Sequence, residues 1–304
     1  MVSIEARTLD AALRNRPNTS RVAPTLEQLR RNGEAMGTFG TKRDDVTIGE
    51  VDMGGRRALE YVPDGVGDGI ILYLHGGGLT LGSPESHTRL AAHLAARSRA
   101  RVYNLDYRLA PEHPFPAALD DVAAAFRFLT GRGVPAERII IGGDSGGAAI
   151  ALATLVDLTE SGHRLAGGLF MSPWVDFTLT ADSFETNADL DPMCSRQMMV
   201  PLRDNYCPSG DFENHRVSPA LNGNLTGLPP LLVQVGASEV LRDDARLIAE
   251  RGLQAGVEVD IEEYAGVPHV FQLYAGNLPE ADDALQSAAD WTTLVLGRRH
   301  REAG

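Results

Sequence analysis

The stretch that decides the fold is "RIIIGGDSGGAAIALATL", residues 138–155. Its unbroken isoleucine run reads as a strand buried on both faces, and its Ala- and Leu-rich continuation carries apolar residues three and four apart, as a helix does. Strand gives way to helix across Gly143-Asp144-Ser145-Gly146-Gly147. A very tight strand-to-helix turn needs small residues two places before and two after its serine, because a larger side chain would strike a neighbouring element. The Ser145 hydroxyl is then presented beside a helix N-terminus, which favours developing negative charge. Ser145 is the candidate nucleophile; the competing reading is a glycine-rich turn with an incidental serine.

The letters "GDSGG" also occur around the serine of trypsin-like proteases, which are disulfide-bonded all-β barrels with the catalytic order His, Asp, Ser. The helical sequence that follows, and the presence of only two cysteines, exclude that reading. Cys194 and Cys207 are too few and too irregularly placed for a disulfide framework or a zinc site, so two unpaired thiols and no metal are expected.

Working outward, strand-like runs recur at 46–53, 56–62, 70–74, 101–107, 138–143, 167–172, 230–236 and 257–264. Between the later ones lie helical segments at 86–98, 116–131, 147–162 and 243–256. This alternation predicts an α/β fold with a mostly parallel eight-stranded sheet and helices on both faces. The first two runs alternate more and lie close together, so they are expected to form an antiparallel hairpin at one edge. Residues 1–42 and 177–227 stand outside the alternation; the second is polar, with the apolar stretch "MCSRQMMVPL" inside it.

The formal charge of −13 opposes a polyanionic partner, so nucleic acid is not expected. No apolar run has the length of a signal peptide or a membrane span, so a cytoplasmic protein with no membrane partner is expected.

Directly after the third strand comes His75-Gly76-Gly77-Gly78. Backbone N–H groups reach an oxyanion closely only where no Cβ intervenes, which successive glycines allow. By themselves they would equally suit a flexible loop or a phosphate cradle. With this loop, "YRLAPEHPFPAALDD" (107–121), "GDSGG" (143–147), "SPWVD" (172–176) and "GVPHVF" (266–271), the chain resembles the bacterial hormone-sensitive-lipase-like (family IV) esterases, α/β-hydrolases with a helical cap.

The resemblance implies a cap made of N-terminal helices (1–42) and an insertion (177–227) over a core of 43–176 and 228–304. It implies an oxyanion hole from the backbone N–H groups of Gly77, Gly78 and Gly146, the last standing where the family usually has Ala. "YRLAPEHPFPAALDD" reads as scaffold, with Glu112 and His113 holding a turn. His75 reads as an anchor for the glycine loop.

A serine nucleophile needs an imidazole to take its proton and a carboxylate to orient that imidazole. Of eight histidines, His87, His93 and His163 fall in or beside helices expected at the surface, His215 in the insertion and His300 in a charged tail. His269 follows the last strand and a Gly-Val-Pro turn, at the sheet edge where open α/β folds gather site residues. The order Ser, acid, His places the acid in "GASEVLRDD", 236–244. Glu239 lies in the loop past the strand end and is the choice for orienter, with Asp243 the alternative. Asp243 and Asp244 fall in the next helix's first turn, where capping explains them.

The expected activity is serine carboxylester hydrolysis of small, short-acyl esters through an acyl-enzyme, with no cofactor. The segments "LPPLLVQVGASEVLRDDA" and "PHVFQLYAG" resemble most the subset that includes ε-lactone hydrolases, so a lactone is the alternative substrate. A non-catalytic small-molecule binder is the reading from another class. The partner is a small ester or lactone, and a homodimer is left open.

Overall fold

The computed structural model describes residues 1–15 and 24–302, with side chains as far as residue 297. Its strands are β1 Val46–Asp52, β2 Arg57–Pro63, β3 Ile70–Leu74, β4 Arg101–Leu105, β5 Ile139–Asp144, β6 Gly167–Met171, β7 Leu231–Gly236 and β8 Val259–Tyr264. They form one eight-stranded sheet in the order β1-β2-β4-β3-β5-β6-β7-β8. β1 and β2 make the expected antiparallel edge hairpin, in register from Val46 opposite Pro63 to Asp52 opposite Arg57. β2 also runs antiparallel to β4, and the remaining pairings are parallel.

The helices are α1 Ile4–Arg14, α2 Leu26–Gly33, α3 Thr88–Ser98, α4 Ala117–Gly131, α5 Ser145–Glu160, α6 Ser183–Thr186, α7 Arg196–Tyr206, α8 Pro219–Asn222, α9 Arg242–Gln254 and α10 Pro279–Glu302. The pleat sends alternate residues of each strand to opposite faces. Leu72, Ile141 and Val233 thus pack with α4, α5 and α9 in one core, while Ile71, Tyr73 and Ile140 pack with α3 and α10 in the other. Both faces are covered, which is why the central strands are apolar without alternation.

The covering helix α10 was not among the helical segments expected from the sequence. Its buried face is largely alanine (Ala281, Ala284, Ala288, Ala289), with Leu285 and Trp291. Small residues give little apolar contrast against the acidic positions between them, so the helical period is faint. Ser3 caps α1 and also ties it to α10, its N–H and hydroxyl donating to Glu280 at 2.7 and 2.8 Å.

Several side chains sit differently from expectation. His87 and His93 are buried, at 1% and 2% exposure, rather than on a helix surface. His93 Nε2 lies 3.1 Å from the Thr41 carbonyl, joining α3 to the N-terminal segment. Glu112 takes a two-pronged ion pair from Arg30 of α2 at 2.8 and 2.7 Å, and the same guanidinium donates to the Ala110 carbonyl at 3.0 Å. His163 is exposed as expected, His215 of the insertion is exposed too, and the His300 side chain lies outside the described residues. Both cysteines are unpaired and buried.

Asp243 and Asp244 lie in the first turn of α9 as expected, but no side chain caps that helix. Asp243 instead accepts the Ser183 N–H at 2.9 Å. Asp244 accepts the N–H groups of Val175 and Asp176 at 2.8 and 2.9 Å, tying α9 to the loop after β6. Its other oxygen is buried without a partner.

Burial, the largest influence on it, pushes the Asp244 carboxyl up to about 8. Between the ordinary carboxylate value and that one, the unfolded chain releases a proton that the folded chain keeps, so this group lowers stability as pH rises. Asp244→Asn retains the acceptor without the titration. Urea denaturation from pH 4 to 8 should show the variant gaining steadily on the parent as pH rises; a constant difference would contradict the assignment.

Candidate active site

β5 ends at Asp144 and α5 starts at Ser145 with no intervening residue. A Cβ placed on Gly147 would lie 2.1 Å from the Leu74 carbonyl oxygen and one on Gly143 2.4 Å from it, so the corner presses directly on the end of β3. The turn holds Ser145 at φ +50°, a conformation uncommon for a residue with a side chain.

Ser145 Oγ lies 3.0 Å from His269 Nε2, and His269 Nδ1 lies 2.6 Å from Glu239 Oε2. An ionised carboxylate only accepts, so Nδ1 carries the proton and Nε2 is left to accept from the serine hydroxyl. Glu239 is 1% exposed, and its Oε1 accepts the Gly236 N–H at 2.6 Å and the Ser172 hydroxyl at 2.7 Å. Of the two carboxylates the sequence left open, Glu239 faces the imidazole. Asp243 is engaged by Ser183 and Arg242.

Burial opposes a charged His269, but the neighbouring Cys194 and Glu239 outweigh it and hold the imidazole above its ordinary range. Burial also raises the Cys194 thiol.

The glycine loop begins where β3 ends. Gly77 and Gly78 take φ of +113° and +59°, and a Cβ on Gly77 would meet the Leu81 carbonyl at 2.3 Å. A Cβ on Gly146 would lie 3.0 Å from Gly78 Cα, so the three glycines expected to line an oxyanion site stand together. His75 is held neutral, its pKa lowered to about 3 chiefly by burial; Nδ1 lies 2.9 Å from the Gly76 carbonyl and the ring stacks on Tyr107.

A second buried carboxylate, Asp144, accepts the Tyr73 hydroxyl at 2.7 Å and the Gly76 N–H at 3.0 Å, with His87 Nε2 at 3.2 Å. Burial alone would raise it, yet His87 and Tyr73 bring it below the ordinary carboxylate value. This cluster was missed in the sequence because its members are far apart in the chain.

A cavity of about 220 Å³ opens on Ser145 and His269, walled by apolar side chains that include Leu81, Trp174, Met193, Met199 and Leu202. Trp174 of "SPWVD" donates its backbone N–H to the Ser145 carbonyl at 3.0 Å and stacks on Phe177. The methionines come from "MCSRQMMVPL", whose apolar content within a polar stretch was the sequence signal for this wall. Among the described residues, no three His, Cys, Asp or Glu side chains are grouped to hold a metal ion, and no helix is long and apolar enough to cross a membrane.

Residues 71–273 match a family model described as alpha/beta hydrolase fold. The chain is 39% identical over 266 residues to an acetyl-hydrolase of Streptomyces hygroscopicus, covering 87% of each protein. It is 36% identical to an esterase of Acinetobacter venetianus, covering 92% of this chain and 89% of that one. Among solved structures, an esterase from the bacterial hormone-sensitive lipase family superposes with a TM-score of 0.92 at 37% identity, covering 97% of this chain and 99% of the other. The chain therefore belongs to the bacterial hormone-sensitive-lipase group of α/β-hydrolase-fold esterases and is an ester-hydrolysing enzyme.

Proposed function

We propose that the protein hydrolyses small, short-acyl carboxylic esters through an acyl-enzyme on Ser145. The observation that carries this reading is the continuous hydrogen-bonded line Ser145–His269–Glu239 at the floor of an apolar cavity. Ser145 Oγ attacks the ester carbonyl carbon and passes its proton to His269 Nε2. The resulting oxyanion is received by the N–H groups of Gly77, Gly78 and Gly146. Collapse expels the alcohol, which takes the proton back from His269. Water, with His269 again as base, then releases the acid and restores the serine. Glu239 keeps the imidazole in the productive tautomer and stabilises its charge.

The cavity, at about 220 Å³, is below the roughly 300 Å³ from which drug-sized sites begin, which supports a short acyl group. Of the described residues, 1–15, 24–42 and 177–227 act as the cap over the core of 43–176 and 228–302. Glutamate in the acid position links the chain to the lactone-hydrolysing subset, so ε-caprolactone belongs in any substrate panel.

Ser145→Ala should fold normally and give neither burst nor turnover with p-nitrophenyl acetate; retained turnover would remove the nucleophile assignment. Across p-nitrophenyl esters, kcat/KM should fall steeply from butyrate to octanoate, and an octanoate optimum would contradict a short-acyl site. Turnover of ε-caprolactone above that of the linear esters would favour the lactone reading.

Because His269 must be neutral to act as base, kcat/KM falls as pH drops through its pKa. The neighbouring Cys194 and Glu239 place that limb above the roughly 6.5 of a free imidazole. Glu239→Gln should move the limb to lower pH and cost about 10³–10⁴ in kcat, whereas Asp243→Asn should leave both nearly unchanged. The reverse pattern would transfer the role to Asp243.

A further inference from the structure

We propose that Ser172 is a positioning residue of the reaction, one whose hydroxyl locks the acid to the segment that carries the base. This rests on the reading of Glu239 as the residue that orients His269. Ser172 follows β6, is fully buried, and belongs to the "SPWVD" stretch.

Its Oγ has two neighbours with fixed polarity. The Val270 N–H, at 3.0 Å, can only donate, so the oxygen accepts there. The Glu239 Oε1 carboxylate oxygen, at 2.7 Å, takes the hydroxyl proton. One side chain therefore spans from the acid to the residue directly after His269. It fixes the separation of the β7 and β8 loops at the point where Nδ1 and Oε2 meet at 2.6 Å.

Glutamate makes such a brace necessary. Its side chain has one more rotatable bond than aspartate, and a carboxylate tied through a single oxygen can swing about that bond. Here Oε2 serves the imidazole, while Ser172 and the Gly236 N–H together hold Oε1. The backbone also shows that position 172 is constrained. Ser172 adopts φ +46° and Val270 φ +49°, and the Ser172 N–H is anchored on the Gln234 carbonyl at 2.6 Å. Glycine would suit a positive φ better than serine, so the hydroxyl is held here at a backbone cost.

The test is a double-mutant cycle with steady-state kinetics on p-nitrophenyl acetate, using the parent, Ser172→Ala, Glu239→Gln and the double variant. Ser172→Ala should lower kcat about 10- to 100-fold, the range for a lost hydrogen bond to a charged group, with KM unchanged. Added to Glu239→Gln it should cost nothing further, because the group it serves is already disabled. Ser172→Gly removes the hydroxyl while relieving the backbone, so it should melt no lower than the alanine variant and lose kcat equally. If Glu239→Gln is inactive but the Ser172 variants keep full kcat, or if the two losses multiply, the positioning role is wrong and the triad stands. If Glu239→Gln retains activity, the assignment of the acid fails and this proposal fails with it.

Discussion

The structure turns on the contact between the β5–α5 corner and the end of β3. Gly143 and Gly147 lie so close to the Leu74 carbonyl, and Gly147 to that of His75, that a single methyl group on either would collide with backbone. Backbone cannot yield as a side chain can, so the corner has one geometry, and that geometry holds Ser145 at φ +50°. The glycine loop starts at the same β3 end, and Gly146 packs on Gly78. The positions of Ser145 and the glycine loop are therefore set by one packing event and cannot vary separately. Strain in the serine is sustained because β3 and β5 are central, parallel-paired strands with covered faces.

Asp144, Glu239 and Asp244 are buried around this corner, and the donors around each fix its role. Asp144 has Tyr73, the Gly76 N–H and His87, enough to keep it charged despite full burial, and it returns that charge as a tether on the glycine loop. Glu239 divides its oxygens between a brace and the imidazole. Asp244 has two backbone donors on one oxygen and none on the other, and burial wins. In "GASEVLRDD" place along the chain set Glu239 apart from Asp243 and Asp244, but the partners that separate Asp243 from Asp244 arrive from α6 and the loop after β6.

The fold was legible because its strands are continuous apolar runs and its turns are written in glycine; all eight strands lie within two or three residues of where the pattern put them. Ser145, Glu239 and His269, which the structure brings within hydrogen-bond reach of one another, each follow a strand end, a place the chain order marks. What was illegible depends on distance in sequence. Ser172 donates to Glu239 from 67 residues away, and His87 meets Asp144 from 57. Local periodicity also placed His87 and His93 on a surface, since it cannot know that α10 and the N-terminal segment cover α3. Helix α10 itself escaped because an alanine face has almost no hydrophobic contrast.

The polar 177–227 segment has two duties that limit each other. Its methionines wall the cavity, and unbranched, polarizable side chains can rearrange around acyl groups of different shape. Yet its backbone and polar groups also hold the acid loop. Ser183 Oγ donates to the Val240 carbonyl at 2.6 Å, Asn187 to the Glu239 carbonyl at 2.8 Å, and Asp191 accepts the Val240 N–H at 3.0 Å. A shift of the whole segment to admit a larger substrate would pull on the peptide that carries Glu239. Exchange of Met193, Met199 or Leu202 side chains would reshape the cavity without that cost. Substrate range in this scaffold is therefore freest to change one wall residue at a time, with the segment itself held in place by the chemistry beneath it.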